Sequence, residues 1–161
     1  MEIKNKSLFK QQNCINGCWV DANNGNKLDV LNPFNDEIIG TVPNSGADET
    51  KAAITAADAA FKLWKNKTAQ ERADILHRWA KLIDENKDDL AQIMTVEQGK
   101  PLKEAVGEVL YGNSYNKWYA EEAKRIYGDV IPSNANDRRL LVIKQPIGVC
   151  GAITPWNFPN A

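Results

Sequence analysis

The sequence feature that most restricts the fold is a continuous apolar run, residues 147–154, which ends in Pro155-Trp156-Asn157-Phe158-Pro159. A strand that is apolar on both faces is typical of a parallel sheet covered by helices on both sides. Because one such strand cannot bury itself, the pattern predicts that the chain opens an α/β domain without completing it. We therefore expect the sequence to be the first part of a longer polypeptide.

Upstream of this run, the hydrophobic period changes from two to about 3.6 at Ser45. Before Ser45, the pair Asn16-Gly17 predicts a tight hairpin turn, and alternating residues at 28–31 and 37–42 predict two further short strands. The opening 45 residues are thus expected to form small antiparallel units.

After Ser45 the pattern predicts four helices. The pairs Ser45/Asp48 and Thr68/Glu71 have the spacing of capping boxes and mark the first two helix starts. Gly99 is expected to end the third helix, Pro101 to open the fourth and Gly128 to close it. The apolar stripe of the fourth helix is interrupted at residues 112–114. The aromatic residues lie at helical spacing and are expected to pack in the core: Trp64, Trp79, Trp118 and Tyr119.

The composition argues against several classes of partner. Lys plus Arg number 20 and Asp plus Glu 21, without a basic run, so nucleic-acid binding is not expected. No apolar stretch approaches the roughly 20 residues that span a bilayer, and residues 1–10 lack the apolar segment of a secretory signal. The three cysteines and the single His77 have no metal-ligand spacing, and we expect His77 to be an unpaired surface or packing residue. A cytoplasmic protein with reduced thiols is predicted.

The end of the apolar run is the best candidate for a functional site, because ligands of open α/β sheets bind at the carboxyl ends of strands. Pro155 and Pro159 fix the backbone φ angle on both sides of Asn157. An amide held in one orientation can donate a hydrogen bond to a developing oxyanion. The alternative is that Asn157 caps a following helix while Trp156 packs against it.

The same run, residues 146–159, closely resembles the signature that precedes the cofactor-binding motif of the aldehyde dehydrogenase superfamily. Further landmarks of that family follow in the family's order: Asn16-Gly17-x-Trp19, Asn32-Pro33, Trp64, Arg72, Glu97-x-Gly99-Lys100-Pro101, Glu104-Ala105-x-Gly107-Glu108-Val109 and Tyr119-Ala120. The resemblance covers residues 13–161. It implies an α/β, aldehyde dehydrogenase-like fold, with the N-terminal part of a Rossmann-like nucleotide-binding domain.

The resemblance also implies a division of the chain and a chemistry. Residues 1–127 correspond to the strand and helix part of the cofactor-binding domain, 128–148 to an oligomerisation arm, and 149–161 to the first strand of the nucleotide-binding sheet. Asn157 matches the oxyanion-hole amide, and the cofactor, NAD or NADP, is expected to lie against Ile153, Thr154, Pro155, Trp156 and Asn157. No metal is implied.

In the family a cysteine thiolate attacks the aldehyde, hydride passes to NAD(P)+ and a glutamate-activated water hydrolyses the thioester. The matching cysteine and glutamate would follow residue 161, so this chain alone is expected to be inactive. Cys150 is not a candidate nucleophile, because it lies in the predicted buried strand without a group that would lower its pKa.

Residues 124–132 and 138–148 resemble the succinate-semialdehyde branch of the family, with glutarate semialdehyde as an alternative substrate. Tyr111 is on the helix that lines the substrate entrance in relatives, although packing is the favoured interpretation of its position. The strand at residues 139–144 implies a homodimer or homotetramer and, alone, would be a long exposed edge. A non-catalytic relative that acts by subunit association is the competing hypothesis. A dinucleotide-binding module without chemistry is not favoured, because the sequence lacks a glycine-rich phosphate loop.

Overall fold

The computed structural model describes residues 2–161. Before residue 46 it contains a short 3-10 helix (Lys6–Leu8) and two antiparallel hairpins, and the hairpins agree with the alternating apolar pattern of this region. Strand β1 (Asn13–Ile15) pairs with β2 (Cys18–Val20), and β3 (Lys27–Leu31) pairs with β4 (Ile38–Pro43). Asn16 and Gly17 have φ angles of 52° and 74°. A two-residue turn with two positive φ angles follows the right-handed twist of its strands, which confirms the predicted turn.

Four helices follow, again as predicted: α1 (Ala47–Trp64), α2 (Ala69–Glu85), α3 (Lys87–Gln98) and α4 (Leu102–Glu122). The Thr68/Glu71 capping box is present, with the Glu71 carboxylate accepting from the Thr68 N–H at 2.7 Å and the Thr68 hydroxyl accepting from the Glu71 N–H at 3.2 Å.

The start predicted for α1 is wrong by one residue, because Gly46 rather than Ser45 occupies the cap position. The Glu49 carboxylate accepts from the Gly46 N–H at 2.8 Å and from the Asn23 N–H at 2.7 Å. These two bonds join the helix start to the β2–β3 connection, and with the Asn23 bond as the larger cause they hold the pKa of Glu49 below its ordinary value.

Gly99 ends α3 with a φ of 78°, and Pro101 caps α4, so both of these signals are confirmed. Gly128 does not close α4, which ends at Glu122 and passes into the short 3-10 helix Ala123–Arg125. The central apolar cluster lies where α3 meets α4 and is built from Ala91, Met94, Ala105 and Val109, with Ile83, Leu90 and Val106 packed against it.

The expectation that the aromatic residues form the core is wrong. Trp79 is 54% exposed, Trp118 64% and Tyr119 59%, while Ala73, Ala80 and Ala120 are fully or almost fully buried. Small side chains fill the contacts between the helices and let the backbones approach closely, so the large aromatic rings lie on the outer faces. His77 also differs from expectation, since its Nε2 lies 2.8 Å from the Glu121 carboxylate on α4.

The apolar pattern of α4 is interrupted at residues 112–114, but the helix itself is continuous there. A buried polar contact of Asn113 takes the place of an apolar contact with α2. Asn113 is 2% exposed, and its amide donates to the Ala80 carbonyl at 2.8 Å and to the Asp84 carboxylate at 2.9 Å. Asp84 in turn pairs with Lys117 at 2.7 Å. Both acceptors belong to α2, so Asn113 fixes the register between α2 and α4.

Residues 128–148 contain a third hairpin, in which β5 (Asp129–Ile131) pairs antiparallel with β6 (Leu140–Val142). Every residue of both strands is exposed, as expected for the predicted arm, but β6 is only three residues long rather than the six expected. The strand predicted over residues 147–154 is absent from the described chain; Gly148 has a φ of 115°, and Ile153 is fully exposed. Cys150 is correspondingly exposed rather than buried.

The physical reason for the missing strand lies in hydrogen bonding, since an extended segment becomes a strand only when a neighbouring strand accepts and donates its backbone bonds. Over residues 2–161 the strands pair only within the three hairpins. None of the helices described for residues 2–161 is long and apolar enough to cross a membrane.

Candidate active site

The candidate site lies where residues 155–160, here called the terminal turn, rest against the junction of α3 and α4. A hydrogen bond from the Phe158 N–H to the Pro155 carbonyl at 3.2 Å closes the first part of this turn around Trp156 and Asn157. Pro155 is thus the first residue of a closed backbone turn, and Pro159 follows directly after it, where the sequence predicts the end of a strand.

Side chains of the α3–α4 junction hold the backbone of the terminal turn. Gln98, the last residue of α3, donates from Nε2 to the Trp156 carbonyl at 2.7 Å. Lys100, two residues later, donates from Nζ to the Asn157 carbonyl at 2.7 Å. Successive carbonyls of the turn are thus fixed from the same side by neighbouring polar residues of the junction.

Glu108 on α4 completes the contact. Its side chain is 1% exposed, and it pairs with the ammonium of Lys100, whose side chain is itself only 12% exposed. The other carboxylate oxygen accepts from the Asn160 N–H at 2.9 Å. A buried carboxylate is tolerated when it is paired and hydrogen-bonded, and here both conditions are met by one cation and one backbone donor.

Two further contacts show how closely the turn is seated. The Lys100 ammonium lies 4.2 Å from the centre of the Phe158 ring, within the range of a cation–π interaction. Gly112 on α4 faces the Asn160 carbonyl so closely that a Cβ at this position would lie 2.0 Å from its oxygen. A side chain at position 112 would therefore displace the turn.

An open cavity of about 510 Å³ borders the turn and is lined by Asn157, Phe158 and five residues of the junction and α4: Lys100, Glu104, Gly107, Glu108 and Tyr111. Tyr111 is 54% exposed, and its hydroxyl lies 2.6 Å from that of Tyr115. Tyr111 therefore lines this cavity rather than packing in the core, as one of the two interpretations of its position allowed.

A second cavity of about 700 Å³ lies on the other side of the turn and is bordered by Trp156, Pro159 and Glu97 among others. Burial raises the pKa of Glu97 above its ordinary value. A carboxyl group that holds its proton more strongly than usual is thus present beside the turn, on the helix that precedes Gly99.

Of the residues predicted to contact the cofactor, Ile153 and Thr154 precede the terminal turn, and Pro155, Trp156 and Asn157 form its first part. Ile153, Thr154, Pro155 and Trp156 are all exposed, with Trp156 84% accessible. The side chain of Asn157 is exposed as well, and the contact of this residue with the junction runs through its backbone carbonyl. Within residues 2–161 there is no cluster of three His, Cys, Asp or Glu residues able to hold a metal ion.

Sequence reasoning missed the roles of Lys100, Glu108 and Gly112. Lys100 and Glu108 belong to the landmark stretches recognised in the sequence, but their pairing depends on how α4 starts after Pro101. A buried acidic position on an amphipathic helix was the available signal, because Glu108 follows the buried Ala105 at helical spacing.

Comparison of the sequence and structure with known proteins identifies the family of the chain. The model of the aldehyde dehydrogenase family matches residues 19–161. The chain belongs to the aldehyde dehydrogenase family. The structure reproduces the corresponding part of that family's α/β fold, as the sequence predicted.

Among its relatives, the chain is 58% identical to the NADP+-dependent succinate-semialdehyde dehydrogenase of Escherichia coli, over all 161 residues and 33% of that protein. It is equally 58% identical to the glutarate-semialdehyde dehydrogenase of Pseudomonas aeruginosa, again over its whole length and 33% of the relative. A crystal structure of an NADP-dependent enzyme from E. coli superposes with a TM-score of 0.97, covering 99% of this chain and 33% of that one. The chain thus spans about a third of the length of the relatives it matches.

Proposed function

We propose that the whole protein containing this chain is an NAD(P)-dependent aldehyde dehydrogenase that oxidises a semialdehyde, with succinate semialdehyde as the first candidate. The observation that carries the proposal is the terminal turn: it presents an exposed asparagine amide beside an open cavity while its backbone is held from α3 and α4. Family membership and the identity to semialdehyde dehydrogenases support the substrate class.

In this proposal Asn157 is the catalytic residue contributed by the chain. Its amide donates a hydrogen bond to the oxygen of the aldehyde as that oxygen gains negative charge during thiolate attack. A donor that is already in place when the charge develops lowers the barrier, because no reorganisation is needed at that moment. The thiolate and the general base are proposed to belong to parts of the enzyme outside these 161 residues.

Residues 153–157 are proposed to form one wall of the nucleotide site. They fit this role because they are consecutive and exposed, and the hydroxyl of Thr154 and the side-chain amide of Asn157 are available to a polar ligand. Bound NAD(P)+ would accept the hydride. The chain's own contribution is to orient the nucleotide relative to Asn157.

Glutarate semialdehyde is the second candidate substrate, because the identity to the Pseudomonas aeruginosa glutarate-semialdehyde dehydrogenase equals that to the Escherichia coli enzyme. Tyr111 lines the cavity beside Asn157 and is proposed to lie at the substrate entrance. Comparison of kcat/KM for the two semialdehydes with both nucleotides distinguishes the candidates.

Subunit association through residues 128–148 is also part of the proposal. Val130 is 75% exposed, Leu141 73% and Ile143 75%, so this hairpin offers apolar surface and strand edges to another subunit. A homodimer or homotetramer in the cytoplasm is proposed, and the three free cysteines suit a reducing compartment. Leu141→Asp should lower the subunit number measured by light scattering.

The deciding experiment replaces Asn157 by Ala in the whole enzyme. Turnover should fall by roughly 10²–10³, the usual loss for one oxyanion-hole donor, while nucleotide binding stays nearly unchanged. Asn66→Ala, at the end of α1, is the control and should leave turnover as it is. A fall of less than tenfold would refute the role of Asn157. The isolated 161-residue chain should produce no NAD(P)H from either semialdehyde.

A further inference from the structure

The Lys100–Glu108 pair is the most deeply buried ion pair of the described chain, and it lies against the candidate catalytic turn rather than within the apolar core. We propose that Lys100 is a positioning residue for the Asn157 amide: held by Glu108, it fixes the backbone carbonyl of Asn157 and thereby the direction of the side chain. The inference rests on the proposed function and adds to it a second residue on which the rate depends.

The chain reverses direction between α3 and α4, and Lys100 lies in this reversal. Gly99 adopts the left-handed conformation, and Pro101 caps α4, so Lys100 is the single residue between a helix end and a helix start. From this position its side chain reaches Glu108 on α4, and the ion pair with that carboxylate holds the end of the long, flexible lysine chain.

Charge is the second reason for the contact. The Glu108 carboxylate is almost fully buried, and burial of a carboxylate is costly unless a cation compensates it. Lys100 supplies that cation and directs two other donor positions of its ammonium away from Glu108, one of them to the Asn157 carbonyl at 2.7 Å. Because the lysine side chain is only 12% exposed, water competes poorly for these bonds.

The contact of Lys100 lies directly beside the proposed reacting group. The carbonyl that Lys100 holds belongs to the same residue whose amide is proposed to meet the oxyanion, and the Phe158 ring covers the ammonium from the next position. The Glu108 carboxylate fixes the Asn160 N–H three residues further on. The ion pair therefore constrains the backbone that follows the Asn157 Cα at two points, while Gln98 holds the Trp156 carbonyl that precedes it.

This arrangement makes a prediction that a purely structural ion pair does not. If Lys100 acts through Asn157, its removal should lower kcat only while the Asn157 amide is present. The test is a double-mutant cycle on the whole enzyme with Lys100→Met and Asn157→Ala, measuring kcat, KM and the Kd of the nucleotide. Lys103→Met, an exposed lysine on the first turn of α4, is the matched control.

We expect Lys100→Met to lower kcat about tenfold in the enzyme that retains Asn157, and less than twofold in the Asn157→Ala background. The nucleotide Kd should change little in either. Lys100→Arg, which keeps the charge, should recover a large part of kcat. Equal losses in both backgrounds, or no loss in the first, would overturn the proposal.

A replacement variant and the single mutants separate the possible outcomes. If Lys100→Met prevents folding, as judged by circular dichroism, Gln98→Met replaces it; this variant removes the neighbouring bond to the Trp156 carbonyl and should show the same dependence on Asn157. If Asn157→Ala alone leaves kcat unchanged, the proposed function is wrong. If Asn157→Ala lowers kcat but Lys100→Met does not, only the positioning role is wrong.

Discussion

The same substitution, Gly to Ala, is predicted to have opposite effects at two positions of α4. Gly107 faces open space, with no atom within 4 Å of the position that a Cβ would occupy, whereas a Cβ at Gly112 would lie 2.0 Å from the Asn160 carbonyl oxygen. In a helix interior, Ala is more stable than Gly by about 0.5–1 kcal/mol. Gly107→Ala should therefore raise the free energy of unfolding by that amount.

At Gly112 the helical gain is opposed by the clash. Bringing the contact from 2.0 Å to the 3.4 Å of ordinary van der Waals distance requires the terminal turn to shift by about 1.4 Å. Such a shift breaks the bonds that seat the turn, those from Gln98 and Lys100 and the one to Glu108, each of which contributes about 1 kcal/mol. After the helical gain is subtracted, Gly112→Ala should lower the free energy of unfolding by about 2 kcal/mol.

Urea unfolding followed by circular dichroism measures both variants under identical conditions, and an unchanged m-value establishes that only stability differs. In the whole enzyme, Gly112→Ala should also lower kcat, because the displaced turn carries Asn157. An equal stabilisation by Gly107→Ala and Gly112→Ala would refute the reasoning, since it would mean that residues 155–160 do not rest on α4.

Two further predictions concern buried and anchoring polar groups. Asn113→Asp should destabilise the protein by about 3–5 kcal/mol in urea unfolding at neutral pH, because the introduced oxygen faces the Ala80 carbonyl and the Asp84 carboxylate. Burial beside a carboxylate raises the pKa of the new carboxyl in the folded protein, so the loss should shrink as the pH falls towards about 4, the pKa of an unfolded aspartate. Ser114→Ala, the exposed neighbour, should stay within about 0.5 kcal/mol. The backbone N–H groups of Lys4 and Asn5 donate to the Asp89 carboxylate on α3, and these bonds lower the pKa of Asp89 from its ordinary 3.8. The contact between residues 4–5 and α3 should therefore be complete above pH 3.8, and it should be lost as the pH falls through the lower folded-state pKa. The Asn5 amide resonance should report that transition in the wild-type protein, and persistence of the docked signal at low pH, or an identical titration in Asp89→Asn, would contradict it.

Local signals explain which parts of the fold were predictable. The Asn16-Gly17 turn, the Thr68 capping box and the Gly99 helix end each depend on residues within four positions, and each was predicted at the right place. The error at the start of α1 has a local cause as well. Glu49 serves the Gly46 N–H and the distant Asn23 N–H together, so a contact with another element decided the position of the cap.

The unpredicted features depend on the surroundings of a segment rather than on its own residues. An aromatic residue at helical spacing is expected in the core, but alanines form the contacts among α2, α3 and α4, and Trp118 is left 64% exposed. Likewise, the apolar composition of residues 147–154 indicates a strand only if neighbouring strands are present to pair with it. Composition identifies a segment that is able to be buried; pairing partners determine whether it is.

The structure also gives a physical meaning to the landmark Glu97-x-Gly99-Lys100-Pro101. Glycine is needed at position 99 because the chain reverses there with a φ of 78° and passes close to Pro33, whose Cγ would lie 3.0 Å from a Cβ. Pro101 caps the next helix, and Lys100 between them pairs with the buried Glu108. Gly99, Lys100 and Pro101 therefore serve the same result, which is a rigid support beneath the turn that carries Asn157. A site built in this way obtains its precision from two helices rather than from the exposed chain that precedes it.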